Sequence, residues 1–325
     1  MKGMHQSRTK HTASKYIERT VRQQSTLLDF LMNNALYGIS RNKAKDILKG
    51  GGVAVDGTTV TQFNIPLQPG MVVQISKHKH QRGLVTPNVK IVYEDKALVV
   101  VEKESGILSM QVGVRHYSVK QVLDEYFTRR KLKCTAHLVH RLDRDTSGLM
   151  IYAKDMEVQR TLVDNWESIV TDRRYVAVVC GKVEQDGGTV ASWLKENKSY
   201  VTYSSAVDNG GKYAVTHFHT LERSNRYSLI ELRLETGRKN QIRVHMSDLG
   251  HPVAGDRKYG NGDDPIGRLA LHAFRLNFFH PVTGEPMRFD TPFPSSFTRL
   301  FDKKVSAEGM HKDGSAPESF MRQSD

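Results

Sequence analysis

Two kinds of hydrophobic spacing divide the chain. Between residues 25 and 76 the apolar positions Leu27, Leu28, Phe30 and Leu31 fall at helical spacing, with Ser25 or Thr26 placed to cap them. Ser40–Lys49 predicts a second helix, capped by Ser40 and ended by Gly50, Gly51 and Gly52. Val53–Ala54–Val55 followed by Asp56–Gly57 predicts a strand and a hairpin turn, and Pro69–Gly70 turns the chain into Val72–Val73–Gln74–Ile75. From residue 89 onward the pattern is dominated by strands. Lys90–Tyr93, Ala97–Val101, Leu149–Ala153, Arg173–Gly181, Ala214–His219 and Ser228–Leu232 all have strand composition, the last two with one wet face. Ser118–Lys131 predicts a helix with Val119, Val122, Leu123 and Tyr126 on one face. Asp155–Trp166 predicts another, capped by Asp155. Hairpin-like strands outnumber clean βαβ units, which points to an α+β class.

The polar stretches set the expected boundaries. Residues 1–24 carry Lys2, Arg8, Lys10, Lys15, Arg19 and Arg22 against Glu18, and predict a loosely ordered basic arm. Residues 25–76 predict a small domain, 77–88 a linker, 89–302 a large domain and 303–325 a tail. The formal net charge of +13 and pI of about 9.6 suggest a polyanionic partner. Arg41, Lys45 and Lys49 form a basic face on the second helix, spaced by about one turn. Cys134 and Cys180 are too few for a disulfide framework or a zinc site, which fits a reducing compartment. No apolar run approaches the ~18 residues of a membrane span, and the N-terminus lacks the apolar core of a secretory signal. The expectation is therefore a cytoplasmic protein that does not meet the membrane. His78 and His80, and His217 and His219, lack further partners at metal-site spacing, so no metal is expected.

One stretch concentrates charge at the mouth of a strand. His140–Arg141–Leu142–Asp143–Arg144–Asp145–Thr146–Ser147–Gly148–Leu149 places two arginines and two carboxylates before the apolar run Leu149–Ala153. A rigid scaffold commonly carries function in such a loop, although a solvated turn with incidental ion pairs has the same composition. The wording is more specific. It resembles the His-Arg-Leu-Asp…Thr-Ser-Gly signature of the RluA-type pseudouridine synthases, whose catalytic carboxylate falls here on Asp143. Further segments resemble the same family in the same order. Arg174–Tyr175–Val176–Ala177–Val178 places Tyr175 at the entry to a strand. Thr236–Gly237–Arg238–Lys239–Asn240–Gln241–Ile242–Arg243–Val244–His245 places Arg243 on the arginine that pairs with the catalytic Asp. Gly255–Asp256, Leu271–His272–Ala273 and His280–Pro281 follow the family's late segments. Two positions depart from the pattern: Glu102–Lys103–Glu104–Ser105–Gly106 resembles the family's Lys-Pro-x-Gly turn with Glu104 where proline is usual, and Asn240 stands where histidine is usual. The helix-helix-strand order of residues 25–76, with Ser-Arg opening a helix and Val-x-Val-Asp-Gly after it, resembles the alpha-L RNA-binding domain.

The resemblance implies a pseudouridine-synthase fold, a mixed, largely antiparallel sheet with flanking helices, preceded by the alpha-L domain. It implies isomerisation of specific uridines in RNA, with large-subunit ribosomal RNA the expected target and transfer RNA the alternative. It also implies a monomer that needs no cofactor. In this reading Asp143, Tyr175 and Arg243 carry the chemistry. A carboxylate acting on the sugar or base must be ionised, and burial opposes ionisation. A guanidinium beside it, ideally bidentate, restores the charged form. Arg141 is a candidate wedge or phosphate clamp for the flipped nucleotide, and Arg238 a candidate phosphate contact. Two other classes compete: a catalytically silent RNA-binding or ribosome-assembly factor, and a metal-dependent hydrolase using Asp143 and Asp145.

Overall fold

The computed structural model describes residues 16–36, 39–49, 52–60, 62–76, 86–111 and 117–301. The chain divides into two compact units, Met1–Arg82 and Gly83–Asp325. Most of the expected basic arm, residues 77–85 of the expected linker and the expected tail lie outside the described residues.

In the small unit β1 (Tyr16–Thr20) pairs antiparallel with the unit's last strand. An ordered strand thus occupies part of the segment expected to be a loose arm, because Val21 and Ile17 join the unit's hydrophobic core. After β2 (Ser25–Thr26), α1 (Leu27–Phe30) is capped by Thr26, whose hydroxyl accepts from the Asp29 amide. A π-helical turn, Leu31–Ala35, continues it. Ser40 caps α2 (Arg41–Lys49) through the Lys43 amide. Asp56 and Gly57, both at positive φ, turn β3 (Val53–Val55) into β4 (Thr58–Thr59). β5 (Pro66–Leu67) pairs with β2, and β6 (Val72–Ser76) lies between β1 and β3. Leu27, Leu28, Leu31, Ala44, Leu48 and Val73 are buried together, so both helices and the sheet share one core. Arg41 is exposed at the start of α2. The Lys45 ammonium lies 4.3 Å from the centre of the Phe63 ring. The side chain of Lys49 lies outside what the structure describes.

The large unit is built on one twisted sheet. β7 (Val89–Glu94), β8 (Leu98–Lys103) and β10 (Ser147–Ala153) pair antiparallel in that order, and the short β9 (His137–Leu138) pairs with the end of β10. β11 (Val170–Cys180), β12 (Gly187–Glu196), β13 (Thr202–Ser205), β14 (Lys212–Arg223), β15 (Tyr227–Leu234), β16 (Leu271–Phe279) and β17 (Pro286–Asp290) complete it. Their antiparallel order is β17-β16-β11-β15-β14-β12-β13. The two halves join where β10 meets β16 in parallel, through Ser147↔His272 and Gly148↔Ala273. Helix α3 (Val119–Arg129), capped by Ser118, covers one face through Val119, Val122, Leu123 and Phe127. The helix predicted over 155–166 is two pieces, α4 (Met156–Asp164), capped by Asp155, and α5 (Trp166–Ile169), broken at Asn165. α6 (Gln241–Asp248) packs Val244 against Leu194 and Ala214. The turn α7 (Ser295–Thr298) buries Phe297 in the main core. This is the mixed, largely antiparallel α+β sheet expected from the sequence.

Candidate active site

The loop 141–146 enters β10, and its backbone is clamped by the segment that follows β8. The Ser109 hydroxyl donates to the Leu142 carbonyl at 2.7 Å and accepts from the Leu142 amide at 3.2 Å. The Gly106 amide and the Lys103 ammonium both donate to the Arg144 carbonyl, at 2.9 and 2.8 Å. Ser105 donates to the Asp145 carbonyl at 2.8 Å. Asp143 is therefore held by backbone bonds on both sides of it, while Leu142 is buried in the core. Lys103 is fully buried and also donates to the carbonyls of Glu104 and Ile107. Burial pushes its pKa down to about 7, opposed by the nearby Asp145 and Asp143. Its three carbonyl acceptors match the three donors of an ammonium, whereas a neutral amine has two. Glu104, standing where proline is usual in the resembled family, donates its amide to the Asn88 carbonyl at 2.9 Å, a bond proline cannot make.

The side chain of Asp143 faces Arg243, brought from 100 residues away on the first turn of α6. Their contact is single, Nη1 to Oδ2 at 3.2 Å. The bidentate partner of Arg243 is Asp256, with Nε to Oδ2 at 2.6 Å and Nη2 to Oδ1 at 2.7 Å. The arrangement expected from the sequence, Arg243 forked onto Asp143, is thus corrected. The fork grips a fully buried carboxylate, and one remaining N–H reaches Asp143. Burial alone would raise the pKa of Asp256, but the hydrogen bonds and charge of Arg243 outweigh it, and the carboxyl sits below its usual value. Burial opposes the charge of Arg243 too, yet its two carboxylate partners raise its pKa further.

Asn240 holds the entry to α6 in the left-handed region, φ 57°, a conformation asparagine tolerates better than most residues. Its side chain accepts from Arg243 Nη1 at 3.0 Å and donates to the Tyr259 hydroxyl at 3.0 Å. The Tyr259 ring lies 5.0 Å from the Arg243 guanidinium. The Asn-for-His departure therefore touches the arginine itself and not helix or RNA contacts alone. Gln241 fixes the preceding loop, accepting from the Arg238 amide and the Thr236 hydroxyl and donating to the Val215 carbonyl. His245 bridges Ser192 and Thr216; burial lowers its pKa to about 4, so it is neutral at physiological pH.

Tyr175 lies on β11 across the cleft, nearly buried. Burial and the Asp143 charge raise its phenol pKa, against the opposing effect of Arg173. The cleft is lined by Arg141, Asp143, Arg173, Tyr175, Arg238, Asn240 and Arg243, with Leu142, Leu234, Ile242 and Leu271 supplying apolar wall. The sequence-predicted Asp143, Tyr175, Arg243, Arg141 and Arg238 thus converge here. Arg41, Lys45 and Lys49 belong to the other unit. Asp145 pairs with Arg144 at 3.0 Å, outside the cleft lining. Among the described residues no carboxylate forms an ion pair with Arg141, which is exposed at the cleft edge. Among them, too, no group of three or more His, Cys, Asp or Glu side chains is placed to hold a metal ion. Asp256 and Lys103 were visible in the sequence only as parts of motifs, and Tyr259 carried no signal of its place beside Arg243.

A largely polar cleft that holds a carboxylate, a guanidinium and a phenol beside a patch of four aliphatic side chains, with further arginines in its lining, suits a planar base attached to a phosphate chain. Residues 97–248 match the family described as RNA pseudouridylate synthase, and residues 27–73 match the S4 domain, which corresponds to the alpha-L domain expected above. The chain is 37% identical to the RNA pseudouridine synthase YjbO of Bacillus subtilis (strain 168) over 271 residues, 81% of this chain and 94% of the relative. It is 32% identical over 304 residues to the ribosomal large subunit pseudouridine synthase D of Pasteurella multocida, covering 88% of this chain and 93% of that one. The fold is shared with human RNA pseudouridylate synthase domain containing 1, at a TM-score of 0.56 and 24% identity over 70% of this chain and 93% of that chain. Over nearly the full length of such relatives, and with an S4 domain ahead of its catalytic unit, the chain belongs to the RNA pseudouridine synthase family, enzymes that isomerise uridine within RNA.

Proposed function

We propose that the cleft isomerises uridines of large-subunit ribosomal RNA, with Asp143 as the catalytic carboxylate, Tyr175 beneath the base and Arg243 as the counter-charge. The observation that carries the assignment is the Asp143–Arg243 contact at the mouth of β10, opposite the Tyr175 ring. Isomerisation breaks the bond from the sugar to the base nitrogen, remakes it to carbon 5 of the same base, and moves the carbon-5 proton away. Asp143 can attack the sugar, attack the base or take a ribose proton, and each role needs a carboxylate that Arg243 holds in place. The aliphatic side chains of the lining and the Tyr175 ring retain the detached uracil while it turns, and the phenol, protonated because burial raises its pKa, can relay the carbon-5 proton by passing on its own as it accepts this one. Arg141 and Arg238 at the rim would hold the phosphates on either side of a nucleotide drawn out of its stack. The ribosomal target is supported by relatives named ribosomal large subunit pseudouridine synthase D, at 32% to 34% identity over most of the chain. The reading includes a monomer working in the cytoplasm, without a cofactor. Transfer RNA is the second reading.

The test is Asp143→Asn. RNA affinity and fold should stay near wild type, while pseudouridine formation falls below about a hundredth of the wild-type rate, the scale on which a lost acid–base group acts. Activity above that level would remove Asp143 from the chemistry. Mapping pseudouridine in ribosomal and transfer RNA from cells lacking the protein decides the target.

A further inference from the structure

A second depression, of about 850 Å³, adjoins the cleft and shares Gly237 and Arg238 with it. Its walls are the end of the β12–β13 hairpin, the Gly210–Lys212 turn entering β14, and the loop before α6. Lys195, Lys212, Arg238 and Lys239 line it against one acid, Glu196, which is already paired with Lys239. Such an excess of cations in one groove focuses a positive potential that draws in anions. At its end stands Tyr200, in the turn between β12 and β13. It is 73% exposed and held at φ 59°, a conformation rare for an aromatic residue. The turn is fixed in place: Lys258 donates to the Tyr200 carbonyl, Asn197 accepts from the Ser199 and Val201 amides, and Lys239 lies 5.7 Å from the Tyr200 ring. A rigidly presented, solvent-facing aromatic beside a lysine-lined groove is how single-stranded nucleic acid is bound without sequence reading: phosphates on cations, a base face on a ring.

We infer that this groove carries the single strand of substrate RNA flanking the target uridine, with phosphates on Lys212, Arg238 and Lys239 and a flanking base stacked on Tyr200. The inference rests on the reading of the neighbouring cleft as the uridine site. It adds the path the strand takes away from that cleft, and the direction follows from the shared Arg238. A strand leaving the uridine passes Arg238, which lines both cleft and groove, before it reaches Lys212 and Lys239, so the stacked base lies on the far side of Arg238 from the modified one.

The experiment uses the full chain and a short single-stranded RNA containing one uridine, with binding measured across a salt series. Lys212→Gln and Lys239→Gln together should make the log–log salt slope shallower by about 0.7 for each lysine. Tyr200→Asn keeps a residue suited to positive φ but removes the ring, and should weaken binding about tenfold with no change in slope. Lys96→Gln with Lys133→Gln removes the same charge from exposed sites outside the groove and should leave the slope as it is. An unchanged slope in the groove pair, or a slope reduced equally by the outside pair, overturns the inference. Pseudouridine formation by the wild-type protein on ribosomal RNA is read in parallel. Wild-type activity with normal binding by the groove variants sinks the groove alone. Absent activity with the predicted binding losses sinks the uridine reading and leaves an RNA groove.

Discussion

Arg243 answers to two carboxylates, and the unequal geometry says what each does. Asp256 holds the fork with two bonds and is fully buried; Asp143 receives one longer bond. The tight pair fixes the guanidinium, and the loose one leaves Asp143 lone pairs for substrate. Asp256→Asn should therefore lower turnover by up to about 100-fold, the cost of a small misplacement of a positioned group. The KM for RNA should barely move, because Asp256 is sealed from the cleft; a raised KM with normal turnover would contradict this. Arg243→Leu should lower turnover, since Asp143 then loses the guanidinium that orients it. Turnover that stays at the wild-type level would show the two are not coupled. The folded pKa of Asp256 is lowered, so its contribution to stability is fully present above its unfolded value of 3.8. That contribution is lost only as pH falls through the lower folded value, so the Asp256 pair should not add to the neutral-pH titration of stability. Asp143 and Arg243 were legible as individual residues because their motifs are specific. Asp256 was not, since its role depends on a fold that brings its loop beneath α6.

The element that sets the site is β10. Its first residues leave the clamped loop and pair with β16 in parallel at only two positions, Ser147 and Gly148. Gly148 has φ 123°, and a Cβ there would collide with the backbone of Ala273. Gly148→Ala should thus cost about 3 kcal/mol or more, combining positive-φ strain with overpacking against backbone that cannot yield. Thermal unfolding measures it, and a variant as stable as wild type would mean that the seam is looser than it stands here. Lys103→Met tests the clamp from the other side. It takes the donor from the Glu104 and Ile107 carbonyls, at about 1–3 kcal/mol each when unpaired, and leaves the Arg144 carbonyl only the Gly106 amide, so it should lower both stability and turnover. Among the elements, α2, α3 and α4 were legible because Ser40, Ser118 and Asp155 are capping residues with local consequences. The break at Asn165 and the β12–β13 hairpin were not. The hairpin lacks a strong apolar period, since two of the three positions it buries, Ser192, Leu194 and Thr202, are polar, although its partners are the next strands in sequence.

At the scale of the molecule, chemistry and one set of basic residues fall in different units. The residues assigned to catalysis all follow Gly83, while the Arg41 and Lys45 face of α2 lies in Met1–Arg82. Removing residues 1–82 should weaken binding to structured RNA and make its salt dependence shallower by roughly two to four phosphate contacts. Single-turnover rates at saturating enzyme should stay close to wild type. An unchanged slope with a slower chemical step would place the small unit in the active site. The large fold was legible as a class because strand-like runs dominate the later sequence, but the pairing of β10 with β16, which joins its halves, is not a local property. That long-range closure also has a consequence in time. The ribosome makes Asp143 100 residues before Arg243. At about 5–20 residues per second, the nascent chain carries its reactive carboxylate for some 5–20 seconds before the counter-charge exists. Lys103, made before the loop, is already there to hold the Arg144 carbonyl. The enzyme can thus shape its loop early, yet it becomes competent only when its last strands arrive, and a stalled or truncated chain is silent rather than indiscriminate.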